Sequence, residues 1–193
     1  KLAKYIQDNL PLLVGIIILL LIWTISCTNS FFWDTVQFGS LHAHFYFESG
    51  FSNFFLPAEM DSGHPPFFGM YIAGAWKLLG KTLFVSHLAL LPFILLLGFQ
   101  YYKLVCNFIE GSWARTIAML VFCLDPCLSG QFVLVSPDVI LLLGFVISLR
   151  SVLENRKGML TLGLVILCLI SMRGYMISAA LGCFYILKLF YPK

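Results

Sequence analysis

The sequence predicts an all-α, polytopic membrane protein of about six transmembrane helices, with further helices lying along the outer face. Three observations carry this. Of 193 residues, 60% are hydrophobic and 11% charged, and the mean hydropathy is +0.93. A soluble domain of this size has too little interior to hide that much apolar surface, so lipid must supply part of the solvent. No charged residue occurs from Asn9 to Trp33, and apolar runs of bilayer-crossing length recur after Lys81.

The first run, PLLVGIIILLLIWTISC, gives a span over 9–28. Lys1 and Lys4 precede it and place the N-terminus in the cytoplasm by the positive-inside tendency. No signal-peptide cleavage pattern is visible, and the run is long enough to read as a true anchor. Residues 29–82 form an outer loop rich in Phe, Ser, Asn and acids. Within it Gln37, Ser40, His44 and Glu48 recur on one helical stripe and Phe38, Leu41 and Phe45 on another, as in a helix lying on the membrane surface.

GHPPFFGMYIAGAWKLLGK then reads as a second interfacial or re-entrant helix, with Pro65 and Pro66 in its first turn and Gly80 ending it. Further spans are expected at 84–102, 114–135 and 138–153. The run 158–190 is too long for one crossing and breaks at the MRGY of 172–175, giving spans at 158–171 and 175–190. Asp125-Pro126 lies inside the third span, where proline suggests a kink and Asp125 a water-facing or paired site; its role stays open.

With six spans, the cytoplasmic ends collect Lys1, Lys4, Lys103, Arg115, Arg150, Arg156, Lys157, Lys188 and Lys193. The outer side keeps Lys77, Lys81 and Arg173. The net charge of +3 is too small and too dispersed for a nucleic-acid partner. Asp34, His42, His44, Glu48, Glu59, Asp61, His64, Asp138 and Arg173 all fall on the outer face, so most ionisable chemistry gathers on one side. The six cysteines lie in or beside apolar stretches without a CxxC pair and read as small hydrophobes.

Four motifs occur in order along this topology: Trp33-Asp34 after the first span, His64-Pro65-Pro66 after a long outer loop, Asp138 at the head of a span, and Arg173 closing the segment GLVILCLISMRGYMISAALGCF. In this the chain resembles the GT-C superfamily of membrane glycosyltransferases, nearest to its protein O-mannosyltransferase and aminoarabinose-transferase-like branch. KLLGKTLFVSHLALLPF is similar to the family's step from short helix through glycine to the next span. Two features depart from the pattern. Thr35 stands where the family often has a second acid, and family chains are usually more than twice this length, so the likeness is either to the N-terminal catalytic module of a longer polypeptide or to a shortened relative.

The resemblance implies transfer of a sugar from a polyprenyl-phosphate carrier to an acceptor, with inversion at the anomeric carbon. Such chemistry needs a base at the acceptor, positive charge on the departing phosphate and an apolar groove for the polyprenyl tail. Asp34 is then the candidate base, or else a loop acid or helix cap. Arg173 is the phosphate partner, because a guanidinium in an apolar run is costly unless it meets water, a carboxylate or a phosphate; the alternative is an arginine snorkelling to headgroups. Asp138 either caps its helix or orients Arg173. His64, held at the rim of a preset Pro-Pro turn, and Asp61 beside it are candidates for binding substrate phosphate or acceptor.

His42 and His44, two apart, point to different helix faces and do not share an ion. His44 and Glu48 share a face that permits weak divalent binding; otherwise no cofactor or metal is expected. The partners expected are the lipid bilayer, a polyprenyl-phosphate sugar and an acceptor that the sequence does not specify. A second function class is a non-catalytic GT-C-like subunit that binds a membrane-protein partner or a lipid, favoured by the chain's length and by Thr35. A transporter or channel is disfavoured, since the ionisable groups cluster at one face and no inverted repeat is visible.

Overall fold

Long apolar runs fold into helices, and most breaks between them fall at a proline, a glycine or a charge. The computed structural model describes residues 2–190. Lys1 and Lys193 of the expected charge pattern lie outside the described residues, and near the N-terminus, Lys4 included, only the helical backbone is described. Among the described residues there are nine α-helices, one π-helical segment and no strand. The helices are α1 (Leu2–Ser26), α2 (His42–Glu48), α3 (Phe67–Leu79), α4 (Leu83–Cys106), α5 (Ser112–Leu124), α6 (Pro126–Phe132), α7 (Asp138–Leu153), α8 (Lys157–Ile170) and α9 (Met172–Phe190).

Among the described residues, two helices are long and apolar enough to cross a membrane: Asn9–Ser26 within α1 and Leu83–Cys106. Helices α5, α7 and α8, over three further expected spans, have 13, 16 and 14 residues, short of the about 20 that a perpendicular crossing needs. The expected span at 114–135 is not one helix. It divides at Asp125-Pro126, because the proline cannot continue the α5 ladder and the Asp125 carboxylate instead accepts from Leu128 N–H at 3.0 Å, capping α6. Asp125 thus has a structural task that the sequence left open.

Between α1 and α2, the chain passes through a π-helical segment, Val36–Leu41. The expected apolar stripe of Phe38, Leu41 and Phe45 is only half-buried. Gly39, His42, Ala43 and Tyr46 face inward instead.

Helix α1 packs on α4 and α5, α4 on α7, and α7 on α8 and α9. Trp23 Nε1–H donates to the His87 carbonyl at 3.0 Å, tying the end of α1 to the start of α4. At the other end of α4, Gln100 Oε1 accepts from the Arg150 guanidinium, and Asn107 donates to Glu154 at 3.1 Å. Glu154 also pairs with Arg150 at 2.7 Å and Arg156 at 2.8 Å, while Lys188 of α9 donates to the Val152 and Leu153 carbonyls that end α7. Burial works to raise the Glu154 pKa. The hydrogen bonds from Arg150 and Asn107 and the charges of Arg150 and Arg156 outweigh it and hold the carboxyl below its ordinary value of 4.5. Helix α7 therefore carries this basic cluster near one end and Asp138 at the other, with Arg150 and Asp138 about 18 Å apart at 1.5 Å per residue.

The break between α8 and α9 is made by Ser171 and Gly174. Ser171 is extended (φ −155°, ψ 150°), its carbonyl accepts from Gly174 N–H at 2.8 Å, and its hydroxyl accepts from Arg173 N–H at 3.2 Å. A Cβ on Gly174 would lie 1.8 Å from the Leu167 carbonyl oxygen, so α9 starts where it does only because this position has no side chain. We expect Gly174→Ala to lower stability by roughly 1–3 kcal/mol or more through this overlap with backbone. Gly182→Ala, with nothing within 4 Å of the new methyl, should be neutral or stabilising. Thermal unfolding of the two variants in detergent checks both.

Candidate functional site

The segment DSGHPP is a chain of local constraints. Met60 and Asp61 N–H groups both donate to the Pro57 carbonyl, Asp61 Oδ1 accepts from Gly63 N–H at 2.8 Å, and Gly63 takes φ +70°. Pro65 and Pro66 then lead directly into α3. His42 holds this loop from beneath: its Nε2–H donates to the Met60 carbonyl at 3.0 Å. A Cβ on Gly69 would lie 2.5 Å from His42 Cβ, so the glycine is what lets the first turn of α3 rest against α2.

His64 stands edge-on to Phe38, with ring centroids 4.8 Å apart, and its Nδ1 accepts from Met172 N–H at 3.5 Å, a long contact. The next residue, Arg173, donates from Nη2 to Asp138 Oδ1 at 3.0 Å. Arg173 is 62% and Asp138 32% exposed, so this ion pair is worth at most about 1 kcal/mol.

Three cavities run along these groups. A groove of about 370 Å³ between α6, α7 and α9 is apolar along Phe132, Leu141, Phe145 and Ile177 and ends at Asp138 and Arg173. A space of about 20 Å³, enough for a water, is lined by His42, His64, Ser171 and Arg173. A third cavity, about 280 Å³, opens beyond His64 and is lined by Asp61, Gly63 and Met172 among others. Arg173 borders the first two and His64 the last two, so the three form a row.

Of the residues singled out in the sequence, His64, Asp138, Arg173 and Asp61 come together on this row. Asp34 does not join them. It is exposed and lines none of the cavities described here, and its carboxylate makes no hydrogen bond or ion pair among the described residues. Nor does its side chain cap a helix. Thr35 ties the turn instead, its hydroxyl bonded to both Phe32 N–H (2.9 Å) and the Phe32 carbonyl (2.8 Å), and Trp33 takes a strained φ of +53°.

His44 and Glu48 share a face as expected, with Nδ1 and Oε1 3.6 Å apart. The Lys81 ammonium lies against both, bonded to His44 Nδ1 and 3.3 Å from Glu48 Oε1. This cluster lies apart from the row.

His42 is the residue that sequence reasoning did not assign to the site. Its distance from His44 excluded a shared ion and drew attention away from its place beneath the 57–66 loop. The signal that could have found it is the stripe Gly39, His42, Ala43 and Tyr46, which has ordinary i, i+3, i+4, i+7 spacing. Burial, the largest influence, and the neighbouring His64 lower its pKa below 6.5; the Met60 carbonyl and Asp61 work the other way without cancelling this.

Neither protein-family models, nor curated proteins, nor solved structures give a significant match to this chain.

Because the folded-state pKa of His42 is depressed, its contribution to stability is fully present above pH 6.5. It is lost as pH falls from there through the folded value. We expect a melting temperature that drops between pH 7.5 and 5.5, and a smaller drop in His42→Gln, which keeps an N–H donor but does not titrate. Thermal unfolding across that pH range measures the difference.

Proposed function

We propose that this chain is a membrane glycosyltransferase of GT-C type, moving a sugar from a polyprenyl-phosphate donor to an acceptor at the outer face of the cytoplasmic (inner) membrane or its equivalent, with inversion. In this reading the chain is multi-pass with a cytoplasmic N-terminus. The basic cluster around Arg150, Arg156 and Lys188 faces the cytoplasm, and the row of cavities opens on the opposite side. The observation that carries the reading is the apolar groove of about 370 Å³ that ends at Arg173. A greasy channel closed by a guanidinium matches the two halves of a polyprenyl phosphate, an apolar tail and an anionic head.

Arg173 then holds the phosphate as negative charge grows on it during C–O cleavage. Asp138 orients the guanidinium. His64, whose Nδ1 is taken by Met172 N–H, keeps its proton on Nε2 in the neutral ring and donates from there to the phosphate or sugar. No metal or cofactor enters the mechanism.

Purified protein in nanodiscs, given polyprenyl-phosphate sugars and a panel of hydroxyl and amine acceptors, should form glycosylated product. Arg173→Gln should raise the donor KM at least about tenfold, the loss of one hydrogen bond to a charged group.

One observation favours a second reading. Asp34, the base that the resemblance implies, stands outside the cavities, as it would in a GT-C-like subunit that binds a lipid phosphate or a membrane-protein partner without chemistry. Tight binding of polyprenyl phosphate with no transfer to any acceptor, together with co-purification of a fixed partner, would establish that reading.

A further inference from the structure

The two ends of the row of cavities differ in charge. The groove ends at a cation, Arg173, partnered by Asp138. The cavity beyond His64 has Asp61 in its wall and no Lys or Arg among its lining residues. Asp61 Oδ1 is committed to Gly63 N–H, which fixes the carboxylate in place, and Oδ2 has no partner among the described residues. Phe55, Leu56 and Met172 supply the apolar walls.

We propose that Asp61, rather than Asp34, is the carboxylate that takes the proton from the acceptor, and that the acceptor is an uncharged or cationic hydroxyl compound entering through the cavity Asp61 lines. This rests on the transferase reading above. The step balances as follows. The acceptor O–H proton passes to Asp61 Oδ2 as the oxygen forms its bond to the anomeric carbon. The anomeric C–O bond to phosphate breaks on the opposite face, and its electron pair leaves with the polyprenyl phosphate, whose added charge Arg173 meets.

His64 does not compete for the proton, because its Nδ1 already accepts from Met172 N–H and its Nε2 carries hydrogen in the neutral ring. His42 does not compete either, since its ring is buried and borders the small space rather than the cavity that Asp61 lines. Asp34 lines no described cavity through which an acceptor would reach it. An anionic acceptor would meet Asp61 with no cation to offset it, which sets the charge preference.

Asp61→Asn is the informative variant, because the amide oxygen still accepts from Gly63 N–H and preserves the turn while removing the base. In the nanodisc transfer assay we expect it to lower kcat by about 100-fold or more and leave the donor KM little changed. Asp61→Glu should restore part of the rate. Glu59→Gln, an exposed acid of the same loop outside the cavities, should match wild type.

Wild-type kcat in Asp61→Asn, or loss of kcat confined to Asp34→Asn, would overturn the assignment and leave the transferase reading standing. A wild-type protein that binds polyprenyl phosphate yet transfers nothing would overturn that reading and the assignment with it.

Discussion

The contact of Gly174 with the Leu167 carbonyl governs the geometry of the whole candidate site. It sets the corner between α8 and α9, and the first two residues of α9 then fall on opposite sides of it. Met172 turns its N–H toward His64, and Arg173 reaches Asp138 at the head of α7. A side chain at position 174 would push α9 outward and separate the groove, the small space and the outer cavity that these two residues connect. The site is therefore built on backbone proximity rather than on strong polar bonds, which suits groups that must exchange partners.

The energetics divide the same way. The pair formed by Asp138 and Arg173 is largely solvated and contributes little to folding. The imidazole of His42 is buried, bonded to the Met60 carbonyl and pressed against by Gly69, so its loss would leave an orphaned carbonyl under the loop. Buried polar bonds support the DSGHPP segment from beneath, and the Glu154 cluster ties the far end of α7. The chemically versatile groups stand on top of that support, lightly held.

Much of the helical layout was legible from charge and proline alone. The head of α7 at Asp138, the end of α3 at Gly80 and the interruption before Arg173 each have a residue that marks them. The proline at 126 was also visible, but not that Asp125 would cap a new helix, because capping depends on where the chain turns next. On residues 36–48 the buried stripe is Gly39, His42, Ala43 and Tyr46, next to the expected Phe38, Leu41 and Phe45; both obey helical spacing, and a stripe with a glycine, a histidine and an alanine shows less apolar contrast. His64, Asp138 and Arg173 were singled out by the same motif order as Asp34, Arg173 also by the cost of a guanidinium in an apolar run, and the fold brings these three together with Asp61. Asp34 was drawn in by motif order, and order along the chain carries no distance.

The partial use of Arg173 has a consequence for traffic through the groove. Only one of its five N–H donors is bonded to Asp138, so an incoming anion can be received without expelling the carboxylate. On the proposed reading, the donor is a singly charged phosphodiester and the spent carrier a doubly charged monoester. A cation already half-neutralised greets the first adequately and lacks the surplus to detain the second, so the same carboxylate that steadies the arginine also keeps the spent lipid from clogging the groove.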